Sequence, residues 1–163
     1  MKKKLKIFYF TFADISQPMG STRCVLEVIN NWRKFGHTVF LFVPYYRGNK
    51  RRKDSFTIYI PTTRVRFLDR FIFYFLSFFY LFFYMFQFRP HILYSTEMFY
   101  TCHHALLAKI FGIKHVTELN GFALDEFKME MVSALRIALL DIFQRLTYKL
   151  VDKFITVTPR IKE

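Results

Sequence analysis

Short segments typical of β-strands alternate with segments typical of helices along most of the chain, and this alternation limits the fold more than any other feature. The strand-like segments are rich in aromatic and β-branched residues, and they span residues 5–12, 38–44, 55–60, 91–96, 114–120 and 152–158. A continuous apolar run such as Leu5–Phe12 is typical of a strand that is buried on both faces. The alternation predicts an α/β fold with a doubly wound, Rossmann-like parallel sheet.

The first helix and the following turns give further boundaries. Ser21 or Thr22 is a suitable N-cap for a helix, and Gly36 is placed to end that helix in the left-handed conformation. Pro61 is expected to close the third strand. The carboxyl ends of parallel strands share one edge of the sheet, which is where ligands bind. The loops expected at that edge are 13–21, 44–54, 95–99, 119–125 and 157–160.

The charge of the chain indicates an anionic partner. Its formal net charge is +13 at pH 7, and basic residues are concentrated near the N-terminus, within Arg47–Lys53 and between Arg64 and Arg70. Such a charge attracts nucleic acid or the anionic face of a membrane. The aromatic residues form a separate block instead of alternating with the basic ones, and the sequence has no recognisable nucleic-acid-binding motif. The pattern therefore favours an anionic membrane surface as partner and no nucleic acid.

One predicted helix, from Leu68 to Phe88, is dominated by phenylalanine. Its stretch Phe71–Phe88 contains 18 residues and no charge, so length and composition allow a transmembrane helix. Spanning would put strands of one sheet on opposite sides of the bilayer, and the less apolar residues share an arc of roughly 140°. Three alternatives stay open: a buried core helix, a helix in contact with a bilayer surface, and a spanning helix. For the surface helix, the predicted membrane-contact residues are Arg66, Arg70, Phe75, Phe79 and Phe82.

The cysteines and histidines predict neither a metal site nor a nucleophile. Cys24 and Cys102 are isolated in the sequence, and we interpret both as reduced, buried thiols of a cytosolic protein, with a reactive thiol as the alternative. His103 and His104 are adjacent in a predicted helix, so their side chains are expected to point in different directions. We therefore expect no metal site. The sequence also has no nucleophile elbow and no P-loop.

Four segments, in order along the chain, carry a resemblance to a known family. The first consists of Lys6–Phe12, a loop at Gly20 and the turn Phe35-Gly36-His37-Thr38-Val39. The second is Arg89-Pro90-His91-Ile92-Leu93-Tyr94, and the third is Thr117-Glu118-Leu119-Asn120-Gly121. The fourth is Val151-Asp152-Lys153-Phe154-Ile155-Thr156-Val157-Thr158. In these segments the chain resembles the N-terminal domain of glycosyltransferase family 4 proteins, nearly end to end. It departs from the family in having a single glycine in the first loop, and in having Asn120 where many members carry histidine nearby.

The resemblance implies the N-terminal, acceptor-side half of a GT-B fold, with residues 1–163 forming a single domain. It also implies retaining transfer of a sugar from a nucleotide-sugar donor, without a metal or another cofactor. The family's second domain holds most of the donor contacts and has no counterpart in this sequence, so this chain alone is expected to be inactive. We expect that donor-binding domain to be lost by truncation or supplied by a separate catalytic subunit.

The resemblance assigns a donor-binding role to the first edge loop. Gly20 and Ser21 are predicted to contact the donor diphosphate, because a glycine lets backbone N–H groups approach it at the positive end of a helix. The alternative is that Gly20 is only a turn residue before the helix begins.

Residues at or near the ends of the fourth and fifth strand-like segments are the candidates for catalysis and acceptor binding. Glu118 and Asn120 are the predicted catalytic residues, either as hydrogen-bonding groups or, for Glu118, as a base that points into the cleft. The alternative is that Glu118 pairs with a nearby cation and that Asn120 forms a turn. The predicted acceptor-binding residues are Thr96, Glu97 and Gly121.

Two functions follow from these predictions. The first is the acceptor-side half of an enzyme that builds a surface polysaccharide or glycolipid at the cytoplasmic face of a membrane, with a membrane-associated sugar acceptor as partner. The second is a non-catalytic membrane-anchoring subunit of a split glycosyltransferase.

Overall fold

The computed structural model describes residues 3–65, 68–96, 101–119 and 134–156. The strands in these ranges are β1 (Lys6–Phe10), β2 (Thr38–Tyr46), β3 (Thr57–Thr62), β4 (Ile92–Ser95), β5 (Lys114–Leu119) and β6 (Lys153–Thr156). The helices are α1 (Gly20–Lys34), α2 (Leu68–Phe88), α3 (Cys102–Ile110) and α4 (Ala134–Leu150).

All of these strands belong to one parallel sheet with the order β3-β2-β1-β4-β5-β6. Consecutive parallel strands need a crossover connection. A helix forms part of every such connection except the one between β2 and β3. The predicted fold class, a doubly wound α/β sheet of Rossmann-like type, is confirmed.

The central strands are buried on both faces, as the apolar run at the start of the sequence predicts. Phe8 and Phe10 of β1 point to the layer that contains α2 and α3, whereas Ile7 and Tyr9 point to the layer that contains α1. The sheet therefore separates two hydrophobic cores, one rich in phenylalanine and one rich in aliphatic residues. Burial of this kind on both faces is characteristic of parallel sheets.

The boundaries of α1 are partly as predicted. Gly36 follows the helix in the left-handed conformation, with φ of +84°, as predicted. The expected N-cap at Ser21 or Thr22 is wrong, because the helix already begins at Gly20 and Met19 occupies the N-cap position without a side-chain hydrogen bond. The hydroxyl of Thr22 instead donates to the backbone carbonyl of Asp14, at 3.2 Å, and holds the preceding loop against the helix.

Two further local expectations need correction. Pro61 does not close β3, which continues to Thr62; β3 is an edge strand, where a residue without an N–H group costs little. Cys24 is exposed and not buried, because the buried side of α1 is formed by its neighbours Val25 and Ile29. Cys102 is partly buried, as a free thiol at the start of α3.

Helix α2 has the predicted bounds, and its inward face mixes apolar and less apolar residues. Its buried residues are Phe73, Tyr74, Ser77, Leu81 and Met85, so Tyr74 and Ser77 are the buried part of the less apolar arc. The outward face carries phenylalanines, and only 28% of its most apolar 18-residue window is buried. The alternative of a fully buried core helix is therefore wrong. By length and composition α2 is also the one helix in the described part of the chain that could cross a membrane.

The position of α2 follows from the strands that it connects. It leaves the carboxyl end of β3 and returns the chain to the amino end of β4, in the same sheet. Its first residues therefore lie at the carboxyl edge and its last residues lie at the amino edge. At the amino edge the Lys6 ammonium donates to the carbonyl of Phe88 at 3.3 Å.

Candidate functional site

The candidate site lies where the strand order changes direction, between β1 and β4. These two strands are neighbours in the sheet, but α1 follows β1 on one face and α3 follows β4 on the other. Divergence of the two connections opens a crevice at the carboxyl edge, which is the usual ligand site of such sheets. The hydroxyl of Thr96 donates to the hydroxyl of Thr11 at 2.8 Å, and this buried bond joins the ends of the two strands.

The N-terminus of α1 lies at this edge of the sheet, after β1. No side chain caps the helix and no acidic residue lies in its first turn. Gly20 and Ser21 are both exposed, and a Cβ atom added to Gly20 would meet no other atom within 4 Å. Glycine is thus not required here by packing or by backbone conformation. The exposed N–H groups and the helix dipole together can bind an anion that approaches from the crevice.

A polar network connects the three loops beside this helix terminus. The Asp14 carboxylate accepts hydrogen bonds from the backbone N–H of Ser16 at 2.9 Å and from the Asn49 amide at 2.9 Å. The Arg64 guanidinium donates to the side-chain amide oxygen, Oδ1, of Asn49 at 2.6 Å. The loops after β1, β2 and β3 are therefore fixed to one another. Sequence reasoning missed this network; the spacing Asp14-x-Ser16 is a turn signal, but nothing in the sequence pairs it with Asn49.

Next to this network, cationic and aromatic groups meet at the carboxyl edge. The Arg70 guanidinium lies over the ring of Phe12, 5.5 Å from its centroid. Burial, with a smaller effect of Asp69 and Asp14, raises the pKa of Tyr46 to about 12, so its hydroxyl stays protonated at neutral pH. Arg70 was predicted to contact a membrane, and the structure places it at the mouth of the crevice. Arg66, the other basic residue in that prediction, lies outside the described residues.

Within the part of the chain that the structure describes, Glu118 forms no ion pair with a cation, which was its alternative structural role. Its carboxylate accepts a hydrogen bond of 2.5 Å from the hydroxyl of Tyr94 on the neighbouring strand. Burial, followed by this hydrogen bond, raises the pKa of Tyr94 above its ordinary value. The Tyr94 ring in turn packs on Tyr9 and Trp32, with centroids 5.0 and 5.1 Å apart. The carboxylate thus lies on the α1 side of the sheet, and its catalytic role stays a prediction.

The other predicted site residues divide into two groups. Thr96 lies at the switch in strand order, and Phe75, Phe79 and Phe82 lie on the outward face of α2. The remaining catalytic and acceptor-binding candidates, Asn120, Glu97 and Gly121, lie outside the described residues.

The two adjacent histidines converge, contrary to the expectation that they point apart. Nε2 of His103 lies 3.0 Å from the Ser77 hydroxyl oxygen, and Nε2 of His104 lies 2.8 Å from the same oxygen. The expectation failed because α3 begins at Cys102, and its first turn is packed against α2 so that Ser77 lies between both rings. Among the described residues no group of three or more His, Cys, Asp or Glu side chains is arranged to hold a metal ion.

The sequence profile of a known family matches most of the chain. The profile is that of Glycosyltransferase Family 4, and it matches residues 18–163. No curated protein sequence matches this one.

Solved structures share the fold at low sequence identity. MurG from Acinetobacter baumannii is 12% identical, with a TM-score of 0.58 over 95% of this chain and 42% of its own. A UDP-GlcNAc 2-epimerase from Methanocaldococcus jannaschii is 11% identical, with a TM-score of 0.59 over 94% and 40%. An alpha-glucosyltransferase solved with UDP and DNA is 16% identical, with a TM-score of 0.53 over 94% and 38%. The chain thus spans about two-fifths of the length of these structures.

Proposed function

The chain belongs to glycosyltransferase family 4, and on this premise we propose that it is the acceptor-side half of a retaining, nucleotide-sugar-dependent glycosyltransferase. The observation that carries this proposal is the uncapped N-terminus of α1 at the switch in strand order. An exposed Gly20 there lets a diphosphate approach the N–H groups of the first turn without steric hindrance. A donor diphosphate is the anion that a glycosyltransferase must hold.

The proposal assigns the rest of the donor site to another domain or subunit. The chain covers only about two-fifths of the solved structures that share its fold. We propose that a donor-binding domain or separate catalytic subunit packs on the carboxyl edge and completes the cleft. Transfer needs no metal in this scheme, because the helix dipole and basic side chains such as Arg64 offset the charge of the leaving diphosphate.

The acceptor occupies the side of the crevice that this chain supplies. Thr96 offers a hydroxyl at the end of β4, and the Asn49–Arg64 pair offers amide and guanidinium groups on the adjoining loop. Groups of this kind bind sugar hydroxyls by hydrogen bonds. Glu118, Asn120, Glu97 and Gly121 stay candidates for orienting the acceptor or for accepting its proton.

We place the acceptor at the cytoplasmic face of a membrane. The outward face of α2 carries exposed phenylalanines from Phe71 to Phe86, and the chain carries a formal net charge of +13. A peripheral protein that combines these features binds anionic bilayers through both apolar burial and electrostatic attraction. The acceptor is then a membrane-associated glycolipid or polysaccharide precursor.

The test is sugar transfer with a charge placed at the proposed donor contact. The protein as its gene encodes it is expressed in cells that lack it, and membranes are incubated with radiolabelled UDP- and GDP-sugars. Gly20→Asp adds an anion at the start of α1, which stabilises the helix by about 0.3–1 kcal/mol but repels a diphosphate. We expect label in the lipid extract to fall by roughly tenfold or more, with unchanged or increased thermal stability.

The control is Asn30→Asp, which adds the same charge to an exposed position in the second half of the helix. It should leave transfer close to the wild-type rate. If Gly20→Asp transfers as well as Asn30→Asp, α1 does not contact the donor. Membrane association without transfer from any donor would favour a non-catalytic anchoring subunit.

A further inference from the structure

An apolar cavity of about 400 Å³ lies between α2, α3 and α4. Its volume falls within the range of ligand pockets, and its wall is almost entirely apolar. The lining residues are Phe71, Tyr74, Phe75, Phe78, Phe79, Cys102, His103 and Phe143.

The cavity lies in the half of the molecule that contains the candidate site. Its α2 residues lie between Phe71 and Phe79, and this helix begins at the carboxyl edge after β3. Its α3 residues, Cys102 and His103, belong to the first turn after β4. The cavity and the crevice between β1 and β4 therefore both lie near the carboxyl edge of the sheet.

The cavity is continuous with the outward face of α2. Phe71, Phe75 and Phe79 line it and are also 65%, 58% and 53% exposed. Neighbouring rings along this row pack on one another. The ring centroids of Phe71 and Phe75 are 6.3 Å apart, and those of Phe75 and Phe79 are 5.4 Å apart. Phe82, Phe83 and Phe86 extend the same face towards the amino edge. A long apolar molecule can therefore pass from this row into the cavity without crossing a polar barrier.

Charge complementarity identifies the class of occupant. The α2 row has no charged residue after Arg70. The Arg70 guanidinium lies over the ring of Phe12, and that ring stacks on the cavity residue Tyr74 with centroids 6.1 Å apart. An apolar trough with a cation near one end matches an amphiphile that has a hydrocarbon chain and an anionic head group. A second protein surface would be expected to match the whole row and would not need the cavity.

We propose that this cavity binds one hydrocarbon chain of an anionic lipid, and that the lipid is the sugar acceptor. The head group would then lie beside Arg70, next to the crevice at the switch in strand order. This inference rests on the proposed function, because it specifies the acceptor of the same site. It goes further by separating two apolar contacts: the outer row of α2 contacts the bilayer, and the cavity takes a single chain.

The two cysteines allow a test on the unmodified protein. Cys102 lines the cavity, whereas Cys24 is exposed on α1, on the other side of the sheet. Alkylation of each thiol by N-ethylmaleimide is followed by mass spectrometry, with and without hexadecyl phosphate below its critical micelle concentration. We expect about tenfold slower modification of Cys102 when the probe is about tenfold above its Kd, and no change at Cys24.

The head group and the cavity volume are tested separately. Hexadecyltrimethylammonium has the same chain with a cationic head group, and it should protect Cys102 less at equal concentration. Cys102→Phe fills the cavity without changing the outer row of α2, so it should abolish transfer to lipid while vesicle binding remains. Cys24→Phe, which is the same substitution at an exposed position on α1, should leave transfer to lipid intact.

Each result bears on one claim. Equal alkylation rates of Cys102 with and without hexadecyl phosphate would overturn the cavity proposal, as would a dimer in solution that protects Cys102 without any lipid. Protection of Cys102 combined with no sugar transfer from any donor would leave the lipid site standing and overturn the proposed function. Transfer to lipid by Cys102→Phe at the wild-type rate would show that the chain binds elsewhere.

Discussion

At the residue scale, the hydroxyl of Ser77 determines the protonation of two histidines. A serine hydroxyl carries one proton and can accept two hydrogen bonds, and Ser77 donates its proton to the carbonyl of Tyr74 at 2.7 Å. Both imidazoles must then donate from Nε2 to the Ser77 oxygen. Burial holds the pKa of His104 well below its usual range, so this ring is neutral and its Nδ1 carries no proton. That Nδ1 atom is buried, and it has no hydrogen-bond partner among the described residues.

Removal of this hydroxyl should therefore destabilise the contact between α2 and α3. Ser77→Ala leaves two Nε2–H donors without their shared acceptor, and one of them belongs to a fully buried ring. We expect the free energy of unfolding to fall by about 1–3 kcal/mol, measured by urea denaturation. Ser55→Ala, at an exposed position in the loop before β3, should change it by less than about 0.5 kcal/mol. Equal stability of the two variants would contradict this assignment of protons.

At the scale of elements, α2 exposes a row of phenylalanines to solvent. Phe73, Leu81 and Met85 are buried on its inward face together with Tyr74 and Ser77, while other phenylalanines occupy the solvent side. Exposed apolar patches of this extent are rare on monomeric proteins and mark contact with a membrane or another protein. The inward position of Ser77 is explained by its bonds to His103 and His104.

The outward rings should contribute directly to binding of anionic vesicles. Phe86 is 68% exposed on α2, and Phe35 is 70% exposed just after α1, so the two rings are matched in exposure but not in position. Burying one phenylalanine contributes about 1.5–3 kcal/mol. We expect Phe86→Asp to weaken co-sedimentation with phosphatidylglycerol vesicles by at least roughly tenfold, whereas Phe35→Asp should bind nearly as well as wild type. Similar losses in both variants would indicate a general charge effect.

Elements were more predictable than the contacts between them. The bounds of α2 follow from the sequence because Arg89-Pro90 ends an uninterrupted apolar helix, and Gly36 predicts the end of α1 by its left-handed conformation. The start of α1 was missed because a good N-cap residue is only a local preference. Here the N-cap is Met19, two or three residues before the predicted position, and its side chain makes no capping hydrogen bond. The bonds from Asn49 to Asp14 and from Tyr94 to Glu118 join residues far apart in sequence, so no local pattern indicates them.

At the scale of the whole molecule, buried histidines link stability to pH. His115 lies in the interior, where its Nε2 is 3.0 Å from the hydroxyl oxygen of Ser95. Burial is the largest cause that lowers its pKa to about 4, with Lys109 acting in the same direction and Asp152 against it. The unfolded chain returns this histidine to an ordinary pKa of about 6.5. Between these two values the unfolded state binds the proton and the folded state does not.

Stability should therefore be complete above pH 6.5 and decline as the pH falls towards 4. Each pKa unit corresponds to about 1.4 kcal/mol, so His115 alone accounts for a loss of about 3 kcal/mol across this window. His104 acts in the same direction, because burial lowers its pKa as well. Urea denaturation of wild type and His115→Gln at pH 7 and pH 4.5 measures the effect. The variant should be less stable at pH 7 but lose less stability on acidification, since it cannot bind that proton when it unfolds. Parallel losses in both proteins would mean that other groups, and not His115, govern acid unfolding.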